Sequence, residues 1–116
     1  MASDKMYDLE YLNEISGGDK EFISDMINTF VETTPITLAE IKRLADEGRW
    51  KELYSVVHRF APSLQFLGAL DMENLVSKVE NDAMNQENTD EIRTHIITIE
   101  HFCKRIIDNL KEDFNL

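Results

Sequence analysis

The stretch RWKELYSVVHRFAPSLQFLG, residues 49–68, decides the fold. Its apolar side chains Leu53, Val56, Val57, Phe60, Leu64 and Leu67 recur at intervals of three and four, the period of one helix face. Lys51, Tyr54, Ser55, His58, Pro62 and Gln65 fall on the other side. The pattern predicts a helix over about 49–67, closed by Gly68, with His58 on its polar face. Pro62 is the irregularity. It has no N–H and its ring crowds the carbonyl four residues back, that of His58, so a bend and a freed His58 carbonyl are expected. Neutral imidazole is a nucleophile, and histidine is the side chain that changes charge near neutral pH. An imidazole on a polar helix face therefore points to a histidine offered to a partner.

The helical period extends in both directions. A short helix is expected over 8–15, ended by Gly17-Gly18, and a second over 19–33 with Phe22, Ile23, Met26, Ile27, Phe30 and Val31 on one side. Thr34-Pro35 reads as a cap followed by proline at the first helical position, opening a third segment. That segment carries Leu38, Ile41, Leu44 and Ala45 and stops at Gly48. Beyond the His58 helix, Asp71 can cap a segment bearing Met72, Leu75, Val76, Val79 and Ala83. Residues 85–88 form a polar turn. Thr89 can then cap a last helix reading Ile92, Ile96, Ile99, Phe102, Cys103, Ile106 and Leu110. Short links between long amphipathic helices make sequence neighbours antiparallel, which gives an all-α, up-down bundle. The polar ends MASDKM and KEDFNL are expected to fray.

A chain of 116 residues is expected to form one domain, 1–116, with its core over about 7–112. A net charge of −11 opposes binding to nucleic acid or to an anionic membrane surface. No apolar run is long enough to span a bilayer and the N-terminus lacks a signal-peptide core, so a cytoplasmic location is expected. The lone Cys103 has no intramolecular partner and reads as a buried core residue. The acidic surplus, Asp82 among it with Glu10, Asp46 and Glu91, reads as solvated helix faces, and Met26, Met72 and Met84 as core or boundary filler.

Enzymatic chemistry finds no foothold: a Gly-rich phosphate loop, a nucleophile elbow and zinc-ligand spacing are all missing. A metal site built from His58, His95 and His101 is also rejected. Bundle di-metal centres use Glu three residues before His, whereas Ile92 precedes His95 and Thr98 precedes His101 at that spacing.

Two long segments carry a family likeness: DLEYLNEISGGDKEFISDMINTF at 8–30, and LAEIKRLADEGRWKELYSVVHRFAPSLQFLGALDMENLVSKVE at 38–80. In them a short leading helix, a Gly-Gly-Asp turn and a phenylalanine-bearing helix come first. A charged helix, a Gly turn and a histidine helix ending in Leu67-Gly68-Ala69 follow. Over roughly 8–83 the chain resembles a histidine phosphotransfer (HPt) domain, the intermediate carrier of multistep phosphorelays. The resemblance implies a bundle of four longer helices with a short additional N-terminal helix packed across one end. It implies that His58 is the phosphorylated residue, on Nε2.

The resemblance has two departures. Ala61 and Pro62 stand where the family usually has lysine and then glycine. That lysine helps to hold the phosphoryl group; Arg59, Lys51 and the neutral donor Gln65 are the nearby groups that could replace it. Arg59 reads equally well as a solvated surface cation. Ser55, Pro62 and Ser63 leave low relief beside the imidazole, and Tyr54 is either an aromatic anchor at the rim or a half-buried bundle residue. The implied partner is a response-regulator receiver domain, a hybrid sensor histidine kinase, or both. An aspartyl phosphate of the receiver would be the donor, with a second receiver as acceptor. The chain would need no cofactor of its own, Mg²⁺ being supplied by the receiver, and would act as a monomer. The alternative is a degenerate relative of the same shape that docks receivers or kinases without being phosphorylated.

Overall fold

Asp19 accepts hydrogen bonds from the amides of Glu21 and Phe22 and so opens the longest helix of the chain. In the computed structural model, which describes residues 7–116, there are five helices: α1 (Glu10–Ser16), α2 (Lys20–Asp46), α3 (Trp50–Phe66), α4 (Leu70–Asn85) and α5 (Thr89–Phe114). The four long helices form a ring in which α2 packs on α3 and α5, and α4 on α3 and α5, while α1 rests on α2. The architecture is the all-α bundle with an extra N-terminal helix that the sequence predicts. MASDKM lies outside the described residues.

The segmentation differs in one place. No break occurs at Thr34-Pro35, because α2 runs through both residues. Its buried stripe, Ile23, Ile27, Phe30, Thr34, Leu38, Ile41 and Leu44, keeps its spacing across the proline. Thr34 fills a core position, and Pro35 points to solvent, where its ring displaces nothing packed. Tertiary packing thus overrides the local preference of proline, at the expense of the donor that the Val31 carbonyl would otherwise have. Proline costs about 3 kcal/mol against alanine inside a helix, offset by up to about 1 kcal/mol from the stiffer unfolded chain. Pro35→Ala is therefore expected to raise stability by about 2 kcal/mol in urea unfolding. An unchanged midpoint would mean that α2 is already shaped around the ring.

Other local readings are corrected too. α4 starts after Ala69 without a side-chain cap, leaving Asp71 inside the first turn, and α5 starts after Asn88 rather than at a Thr89 cap. The segment KEDFNL continues α5 as far as Phe114, whose ring packs against the core. Phe22 and Met84 are exposed rather than core-facing. Asp82 is buried, not solvated. It accepts from Lys78 Nζ at 3.3 Å and from Asn88 Nδ2 at 3.2 Å, tying the end of α4 to the turn that follows.

At one end of the bundle the chain before α1 crosses the α3–α4 turn. The amide of Asp8 donates to the carbonyl of Leu67 at 2.6 Å. The buried Tyr7 donates its hydroxyl to Asp113 near the end of α5; burial first, then that hydrogen bond and the carboxylate charge, push its phenol upward. At the other end Arg93 on α5 donates to the carbonyl of Ala45 at 3.2 Å and lies over the Trp50 ring, 5.8 Å from its centroid. Lys42 and Glu100 pair along the same seam at 3.8 Å.

Candidate functional site

α3 holds its shape by burying Leu53, Val56, Val57, Phe60 and Leu64, and that choice of face turns position 58 outward. The His58 side chain is 63% exposed. After the turn at 67–69, α4 runs back antiparallel beside α3 and brings Glu80 level with His58. Oε2 of Glu80 lies 2.8 Å from His58 Nδ1. A carboxylate oxygen at this distance pairs with a proton on Nδ1, so the contact favours the tautomer that carries it there. Nε2 has no hydrogen-bond partner among the described residues. The Glu80 side chain is only 20% exposed, which shields this bond from competition by water. One helical turn before His58, the half-buried Tyr54 stacks on the imidazole, with ring centroids 5.6 Å apart and planes 20° apart.

The predicted site residues do not all gather at His58. Tyr54 and His58 are brought into contact, and Tyr54 is half-buried. Arg59 and Pro62 line a groove of about 270 Å³ between α2 and α3. Leu12, Met26, Phe30 and Phe66 are among its apolar walls, and Thr29, Thr33 and Ser63 bring hydroxyls to it. Arg59 donates from Nε to the Ser55 carbonyl at 3.4 Å, a long bond on an exposed side chain. Gln65 lies elsewhere, in a shallow hollow with Asp8, Glu10, Tyr11 and Glu73 at the α1 end. Lys51 is exposed and makes no ion pair among the described residues.

Glu80 was not visible as a site residue, since nothing in a helix face full of carboxylates marks one of them. The pairing depends on the register and rotation of α4 against α3, which the sequence alone does not give. Elsewhere, burial pushes the Cys103 thiol up to about 12, so it stays protonated and inert at neutral pH. Among the described residues no group of three or more His, Cys, Asp or Glu side chains converges to hold a metal ion. No helix there is long and apolar enough to cross a membrane.

Fold and site define a helical bundle built to present one imidazole from the middle of a helix. Residues 25–113 match the family model of the Hpt domain. The chain belongs to the Hpt domain family, whose members are histidine phosphotransfer modules of phosphorelays that interact with receiver domains and histidine kinases. The match starts within α2 and takes in all of α3 and α4 and nearly all of α5. No curated protein and no solved structure matches the chain.

Proposed function

We propose that His58 is the phosphoacceptor and that the whole chain is one phosphocarrier unit. It takes the group from an aspartyl phosphate of a receiver domain and passes it to another. The observation that supports this most is the asymmetry of the imidazole: Nδ1 is held from behind by Glu80 and Nε2 faces solvent. The Nε2 lone pair attacks phosphorus in line, the N–P bond forms as the acyl P–O bond breaks, and the electron pair leaves with the aspartate carboxylate. Such a transfer is mostly positioning and charge neutralisation, so the carrier needs little machinery beyond the nucleophile. The receiver supplies the Mg²⁺ that offsets charge on the phosphoryl group.

With Ala61 at the usual lysine position, the cation next to His58 in the chain is Arg59, whose long bond to the Ser55 carbonyl is easily given up. Pro62 belongs both to the His58 face and to the α2–α3 groove, which lets a receiver reach the imidazole while covering apolar surface.

The test is transfer from a radiolabelled phosphoreceiver to the wild-type chain and to His58→Gln. Acid-labile, base-stable label on the wild type, with none on the variant, is the expected result. Absence of label on the wild type across several receivers would overturn the proposal. Receiver binding with unlabelled protein would then favour the docking module that Ala61 keeps in view.

A further inference from the structure

We infer that the main-chain carbonyl of His58, deprived of its helical donor by Pro62, is the acceptor for a hydrogen-bond donor on the receiver that docks over the imidazole. The inference deepens the phosphocarrier reading above and rests on it for the identity of the partner. Pro62 lies inside α3, and the helix continues past it to Phe66. In an unbroken helix the amide four residues on serves each carbonyl, and proline has no N–H to give to His58. Among the described residues no side chain replaces that donor. Arg59, the next residue, turns its Nε back to the Ser55 carbonyl at 3.4 Å instead. A helical side chain covers the turn on the N-terminal side of its own Cα, so residues 61 and 62 flank this carbonyl. Ala61 offers one half-buried methyl group and Pro62 an exposed ring, beside an exposed histidine. The unserved acceptor thus stands on a surface of low relief.

In the free chain, water can satisfy this carbonyl. A receiver that brings a phosphoryl group to the imidazole must cover the surface within one helical turn, about 5.4 Å along the axis. Water is then displaced, and an acceptor buried without a partner weakens the complex. A receiver with an N–H or O–H at that point is therefore selected over one with an apolar group there. Pro62 acts through the backbone as a specificity-determining residue.

Pro35 supplies the comparison. It too lies inside a helix and deprives a carbonyl of its donor, that of Val31. Seven residues on, and so on the same face of α2, Lys42 pairs with Glu100 of α5. Pro35 thus stands toward the α2–α5 seam, whereas Pro62 lines the groove between α2 and α3. The chemical defect is the same and the surface is different.

The experiment titrates the full chain with an unphosphorylated receiver domain, chosen because its phosphorylated form labels the wild type. Affinity is read by calorimetry, and the His58 carbonyl is followed by its ¹³C signal. On wild type that signal should move downfield on binding, as a carbonyl's does when it accepts a hydrogen bond. Pro62→Ala and Pro62→Val both restore the N–H, and valine keeps about the bulk of the ring. Both should raise the urea midpoint yet weaken receiver binding about fivefold to tenfold, the effect of leaving the receiver's donor unpaired. A merely structural role would move stability and binding in the same direction. Pro35→Ala should gain stability with binding unchanged. A ¹³C signal that stays in place on binding overturns the inference. So does a Pro62→Val that binds like wild type, which would assign any loss in Pro62→Ala to the ring surface. Weakened binding in Pro35→Ala, or a shifted His58 ring spectrum in the free Pro62 variants, overturns it as well. If no receiver labels the wild type, the phosphoacceptor reading falls instead, and the same titration with any receiver that binds unphosphorylated decides the carbonyl. If none binds, both fall.

Discussion

Gly68→Ala is expected to destabilise the fold by about 2–3 kcal/mol, from a left-handed backbone penalty of about 1–2 kcal/mol and a steric conflict added to it. Gly68 has φ +63, and a Cβ there would sit 2.7 Å from the backbone oxygen of Asp8 and 2.9 Å from its Cβ. The crossing segment cannot give way cheaply, because the Asp8 amide is bonded to the carbonyl of Leu67 next door. Gly48 is the internal control. It also ends a helix with positive φ, at +68, yet a Cβ there would meet nothing within 4 Å. Gly48→Ala should therefore show only the backbone penalty. Urea unfolding followed by circular dichroism separates the two. If both variants lose the same stability, the Asp8 segment does not lie tight over the turn. Because this turn sets the register of α3 against α4, Gly68→Ala should also loosen the Glu80–His58 bond.

Leu64→Ala is expected to cost about 2–5 kcal/mol, the range for removing a fully buried leucine and leaving a partly collapsed cavity. Leu64 has no exposed surface and sits two residues past Pro62, where α3 has already lost one backbone hydrogen bond. Packing, not the helix ladder, holds this end. Against a total stability of about 5–15 kcal/mol such a loss leaves a marginal protein, visible as a lower midpoint at an unchanged slope. A loss below about 1 kcal/mol would mean that the end of α3 is not seated in the core.

The bundle could be read from the chain because its buried stripes are nearly pure. Leu53, Val56, Val57, Phe60, Leu64 and Leu67 are all buried, as their spacing demands. His58 was placed on the correct face by the same spacing. What escaped depends on distances between segments. Pro35 looks like a helix start to any local rule, and only the stripe continuing through Thr34 contradicts it. Asp82 is indistinguishable in sequence from its solvated neighbours until the turn carries Asn88 back to it. Glu80 needs the register of a hairpin, and the stacking of Tyr54 needs the side-chain rotamers. Phe22 was misplaced because a wide apolar stripe does not reveal where its edge meets water.

The ring of helices has one further consequence, for the order in which the chain can condense. Three of its four seams, α2–α3, α3–α4 and α4–α5, join neighbours linked by three-residue turns, so most native contacts form locally and with little loop-closure entropy. The fourth seam, α2–α5, is the only one that must find its partner across the length of the sequence. Arg93 on the Ala45 carbonyl and Lys42 against Glu100 stand along that seam as latches that engage once it closes. The histidine hairpin is thus a local product, assembled within the early-forming part of the molecule, whereas the latest contacts to form lie on helices that His58 does not touch.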